Sequence, residues 1–225
     1  MTALPAPPTP EPAAGRWLGS MRFADALALQ LRTRDALAAG EAEPTVFGCE
    51  HPAVLTLGRR GERTDIRWSA AELAQAGVEV CESPRGGQVT LHGPGQLVIY
   101  PVVRIGWRIR AHITSLGEAA AALLAELGVP DPEFRIEQPG VWIGPRKIAS
   151  IGVHVSRGIA VQGIAINLDV EPTLFSALVS CGLEGVAMTS AVHEGAQSIS
   201  AREAAARFVM LWSAHYGSPV AWPPG

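Results

Sequence analysis

The sequence predicts an α+β domain in which a mixed β-sheet is flanked by helices. Four strand-like runs follow one another between residues 134 and 170 with no helix between them. Strands that neighbour strands in sequence favour a mixed sheet over strict strand–helix alternation. Helical segments with start and stop signals lie before, between and after these runs. A length of 225 residues with 48% hydrophobic content suffices for one substantial core.

The elements can be justified in chain order. Residues 1–15, MTALPAPPTPEPAAG, have prolines at 5, 7, 8, 10 and 12 and no basic residue before Arg16. That composition predicts a disordered tail rather than a signal peptide. Residues 21–39 have a helical pattern and stop at Gly40. TVFGCE (45–50) and VLTLG (54–58) are short strands around a turn at His51-Pro52. Ser69-Ala70-Ala71-Glu72 is a capping box that opens a short helix ending by Gly77. VEVCE (78–82), QVTLH (88–92) and LVIYPVV (97–103) are strand-like, and Ser115-Leu116-Gly117-Glu118 is expected to open a helix over 116–127. FRIE (134–137), GVWIG (140–144), KIASIGVHVS (147–156) and IAVQGIAINLDV (159–170) follow, the last two joined by a hairpin at Ser156-Arg157-Gly158. A short helix around 172–179 precedes Cys181, and Ser200 with Glu203 caps a last helix running to about 215. With no repeat or linker in view, residues 16–220 are expected to form one domain.

Bulk properties exclude several functions. A net charge of −3 gives no basic excess for nucleic acid or an anionic membrane, and no apolar run reaches membrane-spanning length. Cys49, Cys81 and Cys181 form no CxxC pair, which points to reduced thiols and a cytoplasmic protein. Cys49 and Cys81 lie in strand-like runs and are expected to be inert core thiols. His51 is expected in a turn, His112 and His215 at surface or helix positions, His154 in a strand and His193 in a loop. No histidines have metal-ligand spacing, and GxSxG, GxxxxGK[ST] and a strand-linked GxGxxG are absent. No metal or cofactor is expected.

The chemistry concentrates elsewhere. Lys147 is the only lysine among 18 basic residues, and it sits in an apolar, strand-like run. Unlike an arginine, a lysine can surrender and recover its proton. Between Arg85 and Gln96 lie four glycines, Gly86, Gly87, Gly93 and Gly95, together with His92. Glycines there permit positive φ and close approach of a ligand to the backbone. Arg85 can bind an anion, and His92 can hold or transfer a proton. Cys181 precedes Gly182 at the expected end of a short helix, where a substrate could reach its thiol. An ammonium about 4 Å from a thiol contributes up to roughly 4 kcal/mol at an effective dielectric of 20. After desolvation, that suffices to turn most of an ordinary thiol into thiolate at neutral pH. The residues alone also allow a plain glycine-rich hairpin and a small buried thiol.

EHPAVLTLGRRG (50–61), RGGQVTLHGPGQLVIYPV (85–102), GVWIGPRKIASIGVHV (140–155), GIAINLD (163–169) and SCGLEGVAMTS (180–190) together resemble the octanoyl (lipoyl) transferases of lipoate biosynthesis, the lipoate–protein ligase B family. The resemblance covers roughly residues 20–210. It implies the fold of the biotin and lipoate protein ligase catalytic domains. It also implies transfer of an octanoyl group from octanoyl-acyl carrier protein to a lysine of lipoyl domains in 2-oxo-acid dehydrogenases and the glycine-cleavage H protein. By the same resemblance Cys181 forms the acyl-thioester and Lys147 lowers its pKa. The acyl group is held by Arg85, Gly86, Gly87, Gln88, Val89, Thr90, Leu91 and His92, by Ser150, Ile151 and Gly152, and by Gly163, Ile164 and Ala165. The chain departs from the family pattern at Leu91 (usually Tyr), Ser180 (commonly Pro) and Gln162 (frequently His). An ATP-dependent lipoate ligase, an amidotransferase between carrier domains and a non-catalytic acyl-binding module are the competing readings.

Overall fold

The structure, a computed structural model, describes residues 8–177 and 186–223. Strand β1 (Ala13–Ser20) leads into helix α1 (Phe23–Ala39), then β2 (Thr45–Glu50) and β3 (Val54–Leu57). Helix α2 (Ala70–Gln75) precedes β4 (Glu79–Glu82), β5 (Val89–His92) and β6 (Gln96–Val102). After α3 (Ile109–Glu126) come β7 (Glu133–Arg135), β8 (Gly140–Ile143), β9 (Arg146–Ser156) and β10 (Ile159–Asn167). A 3-10 turn at Pro172–Ala177, helix α4 (Ala201–Tyr216) and β11 (Val220–Ala221) complete the described chain.

An eight-stranded sheet has the order β11-β1-β2-β6-β10-β9-β8-β7, and a three-stranded sheet has the order β4-β3-β5. β11, β1 and β2 run parallel, whereas the pairs from β2 to β7 are antiparallel. The expected mixed sheet with flanking helices is therefore the one formed. Alternate residues of its strands point to opposite faces. Leu97, Ile99, Ile164 and Ile166 face α3 and α4, where they pack with Leu123, Phe208 and Trp212. Val98, Tyr100 and Ala165 face Ala26 and Leu37 of α1. Each such large apolar side chain contributes about 1.5–3 kcal/mol relative to exposure.

Several local signals act as expected. Gly40 takes φ +76° and ends α1, and Ser69 and Glu72 complete a reciprocal capping box. The Ser200 side chain accepts from Glu203 N–H. Arg157 and Gly158, with φ of +52° and +74°, turn β9 back onto β10.

Other expectations are corrected. β1 begins at Ala13, inside the stretch expected to be tail, because Ala13 N–H bonds Pro219 O and Ala14 N–H bonds Pro44 O. Arg108 also donates to Pro8 O, so only residues 1–7 of that stretch lie outside the described residues. The helix expected at 116 starts at Ile109 instead. Ser115 is not its cap: its hydroxyl donates to His112 O and accepts from Trp212 Nε1, a use of serine that helix interiors allow. His112 takes the helix position, within α3, and is buried there; Cys81 is partly exposed while Cys49 is fully buried.

Candidate active site

A β-bulge places the lone lysine. β8 and β9 pair as Val141–Ala149 but then as Trp142–Lys147, so β9 has one extra residue at Ile148. Ile148 and Ala149 consequently both enter the core beneath α3 and α4. By strict alternation Lys147 would share a face with Ala149. The bulge reverses it onto the face of Ser150, a re-aiming typical of bulges beside active sites. Lys147 is only 5% exposed, and its Nζ lies 5.2 Å from the centroid of the Trp142 ring. Gly140 makes room for it, since a Cβ there would sit 2.5 Å from Lys147 Cε and 2.2 Å from Ala149 O.

Lys147 lines a cavity of about 410 Å³ whose walls include Arg85, Gly86, Gly87, Gln88, Val89, Thr90, Trp142, Ser150 and Ile151, with Arg60 among its lining residues. A pocket of about 20 Å³ shares Arg85, Thr90, Ser150 and Ile151 with it and adds His92, Gly152, Gln162, Gly163, Ile164 and Ala165. Three segments far apart in sequence thus converge on two adjacent pockets with shared walls. Among the described residues singled out by sequence, Leu91, Gly93 and Gly95 are absent from these walls; Leu91 packs with Leu55, Leu73, Val78 and Ala177. Cys181 lies outside the described residues. Trp142, Tyr100 and Gln162 line these pockets without having been singled out as site residues. The signal for Tyr100 is its alternation with Val98 and Val102 in LVIYPVV.

Arg85 is held as part of the wall. Its Nη2 donates to Thr56 O at 2.6 Å and to Thr56 Oγ1 at 2.8 Å, and its Nη1 donates to Gly86 O at 3.0 Å. Gly86 N–H bonds Val153 O, and Arg60 N–H bonds Gly87 O, which fixes the glycine loop between β9 and the turn after β3. Of the four glycines that permit positive φ, Gly87 (+87°) and Gly95 (+79°) adopt it, while Gly86 and Gly93 do not.

A chain of buried hydrogen bonds sets the tautomer of His92. Asn167 Nδ2 donates to Thr189 O, and Gln96 Nε2 donates to Asn167 Oδ1 and Leu91 O. Gln96 Oε1 therefore faces His92 Nδ1 at 2.8 Å as an acceptor, so Nδ1 bears the hydrogen and Nε2 the lone pair. Burial, then the neighbouring His51 and Arg85, hold the His92 pKa well below the usual imidazole range. Neutral His92 is an acceptor and a poor base. Behind it, His51 Nδ1 donates to Met21 O at 2.6 Å and Nε2 accepts from Tyr100 at 2.9 Å. Burial lowers the His51 pKa and raises that of Tyr100, so this pair is also neutral.

The segment after residue 185 is fastened beside Lys147. Lys147 N–H bonds Ala187 O, Thr189 N–H bonds Lys147 O, and Ala191 N–H bonds Asn167 O. Among the described residues no group of three or more His, Cys, Asp or Glu could hold a metal ion. No described helix is long and apolar enough to cross a membrane.

Comparisons with known proteins show the family of the chain. Residues 22–210 match the family described as Lipoyl protein ligase A/B catalytic domain. An octanoyltransferase of Maridesulfovibrio salexigens is 37% identical over 189 residues, covering 83% of this chain and 88% of the relative. An octanoyltransferase of Nitratidesulfovibrio vulgaris is 39% identical and covers 79% and 82%. The fold is similar to that of a lipoate-protein ligase A bound with ATP, with a TM-score of 0.72 at 14% identity, covering 94% of this chain and 88% of that one. A putative lipoate protein ligase from T. acidophilum gives 0.71 at 15% identity, covering 93% and 88%. A match across most of the chain, with relatives above one-third identity, makes this protein a member of the octanoyltransferase family within the lipoyl protein ligase A/B catalytic domains.

Proposed function

We propose that this chain moves an octanoyl group from octanoyl-acyl carrier protein to a lysine of a lipoyl domain, with the acyl group resting on Cys181 as a thioester. The observation that carries this reading is the convergence of these segments: Lys147, Arg85–Thr90, Ser150 and Ile151 line one cavity, and Arg85, Thr90, Ser150–Gly152 and Gly163–Ala165 line a small pocket that shares its walls. The described residues that flank Cys181 support it. Ala177 packs with Val89 and Leu91, and Ala187 is bonded to the Lys147 backbone.

The chemistry is a two-step exchange. The Cys181 thiolate attacks the donor's carbonyl carbon, the carbon–sulfur bond to the carrier breaks, and the carrier thiolate takes a proton from Lys147. The acceptor's neutral amine then attacks the enzyme thioester, the carbon–sulfur bond to Cys181 breaks, and the amine's proton passes to Lys147. Lys147 suits that task better than His92, whose protonation is opposed by burial, His51 and Arg85. Thioester exchange is nearly balanced and amide formation is downhill, so no nucleotide is consumed. Lipoyl domains, including the glycine-cleavage H protein, are the acceptors in this reading.

The test is transfer from octanoyl carrier protein to an apo lipoyl domain without nucleotide, followed by mass spectrometry of the intact chain. An octanoyl adduct on the wild type, absent from Cys181→Ala, is expected. Persistence of that adduct in Cys181→Ala would refute the thioester. A requirement for free octanoate and ATP would identify a ligase instead.

A further inference from the structure

Gln162 is the backbone outlier beside the cavity. Three described non-glycine residues have positive φ: Asp131 and Arg157 lie in exposed turns, whereas Gln162 (+64°) is buried inside β10. For a residue other than glycine this conformation persists only where surrounding structure holds it.

The sheet supplies the hold. The β6–β10 ladder runs from Gln96–Asn167 to Ile99–Ile164 and resumes where Ala160 N–H bonds Val103 O. That register sets Gln162 opposite Pro101, which has no N–H to give. The left-handed turn takes the Gln162 N–H out of the ladder: it donates to Gln30 Oε1 of α1 at 2.8 Å, and Gln162 Nε2 donates to the same oxygen at 3.0 Å. Ser83 Oγ contacts Gln162 Oε1 at 3.4 Å. Alternation would send residue 162 to the side of Ala160 and Ile164, beneath α3 and α4. The left-handed backbone sends it to the opposite side, toward α1, where it borders the small inner pocket with His92 and Tyr100.

We propose that Gln162, clamped by Gln30, is the stop that ends the acyl cavity and sets the longest chain the protein accepts. This rests on the reading that the acyl chain enters through the larger cavity and ends in the small inner pocket that Gln162 borders. A methyl end that reached Gln162 would meet a carboxamide whose bonds to Gln30 leave it no room to move aside. Further methylenes then gain no burial and clash. Removing the stop restores the ordinary gain, roughly fourfold for each added methylene.

The experiment compares kcat/KM for dodecanoyl and octanoyl carrier protein with an apo lipoyl domain, in wild type, Gln162→Gly and Gln162→Asn. Glycine and asparagine both accept positive φ, so neither replacement strains the backbone. The dodecanoyl-to-octanoyl ratio is expected to rise at least tenfold in Gln162→Gly and by a smaller factor in Gln162→Asn. Should the glycine variant not fold, the asparagine ratio decides. Ratios within twofold of wild type in the folded variants would overturn the stop while leaving octanoyl transfer intact. A wild type that transfers no octanoyl group would instead overturn the parent reading.

Discussion

The two faces of the large sheet come from the same strands, yet only one of them adds a buried polar network to its apolar core. Under α3 and α4 the contacts are almost wholly apolar, with Leu116, Leu123, Leu124, Phe208 and Trp212 closed over Leu97, Ile99, Ile164 and Ile166. Toward α1 the same strands carry Gln96, Asn167, Tyr100 and Gln162, joined to His51, His92 and Gln30 by hydrogen bonds. Burying so many polar groups is tolerable only because they bond one another. One face therefore supplies stability through area, and the other adds to its own apolar contacts the directed bonds that fix position. Damage to the first should appear as lost folding free energy, and damage beside the second as lost transfer.

The sharpest test of that division is Lys147→Met, which keeps the stem but removes the ammonium. Transfer is expected to fall by about 10²–10⁴-fold, the usual worth of a positioned proton-transfer group, with a thermal midpoint close to wild type. A steady-state discharge assay and calorimetry together check it, and a loss of less than tenfold would contradict the assigned role.

Leu123→Ala should do the reverse. The side chain is fully buried between α3 and the sheet, and such truncations cost about 2–5 kcal/mol. Denaturant titration should show the deficit, while transfer per folded molecule stays at the wild-type rate. A matching loss of transfer would mean that the faces are not separable.

Acid sensitivity gives the smallest effect and draws on both faces. His51 and His92 toward α1 and His112 on α3 all have pKa values lowered chiefly by burial, that of His112 to about 4. Below about pH 6.5 the unfolded chain binds protons that the folded chain refuses. Stability should therefore decline toward acid, by up to about 1.4 kcal/mol per pH unit for each histidine. His112→Leu should remove one share of that slope between pH 6.5 and 5 and leave transfer at neutral pH unchanged. An unaltered slope in the thermal midpoint would exclude His112 as a contributor.

Local features of this molecule were readable from sequence, and long-range ones were not. Gly40, Ser69-Glu72, Ser200-Glu203 and Arg157-Gly158 act on their immediate neighbours, so pattern and chemistry suffice to find them. β1 and β11 exist only through parallel pairing between distant segments, and prolines at 10 and 12 disguise the approach to β1. Ser115-Leu116-Gly117-Glu118 has the letters of a capping box, but the helix already runs through it, and Trp212 decides what the hydroxyl does. Arg85–His92 and Lys147 were marked by composition. The bulge at Ile148 that turns Lys147 toward the cavity has no sequence mark. His51 was read as a turn residue, and only the fold reveals its bonds to Met21 and Tyr100.

The single lysine has a consequence under the proposed reaction, which passes through an activated ester. Its side chain is 5% exposed, and every other basic side chain that could bear a permanent charge is a guanidinium. The surface thus offers no side-chain amine to compete with the incoming lysine for the acyl group. Self-labelling of the exterior is closed off by composition, and any stray amide on a side chain of this molecule can have formed only at position 147.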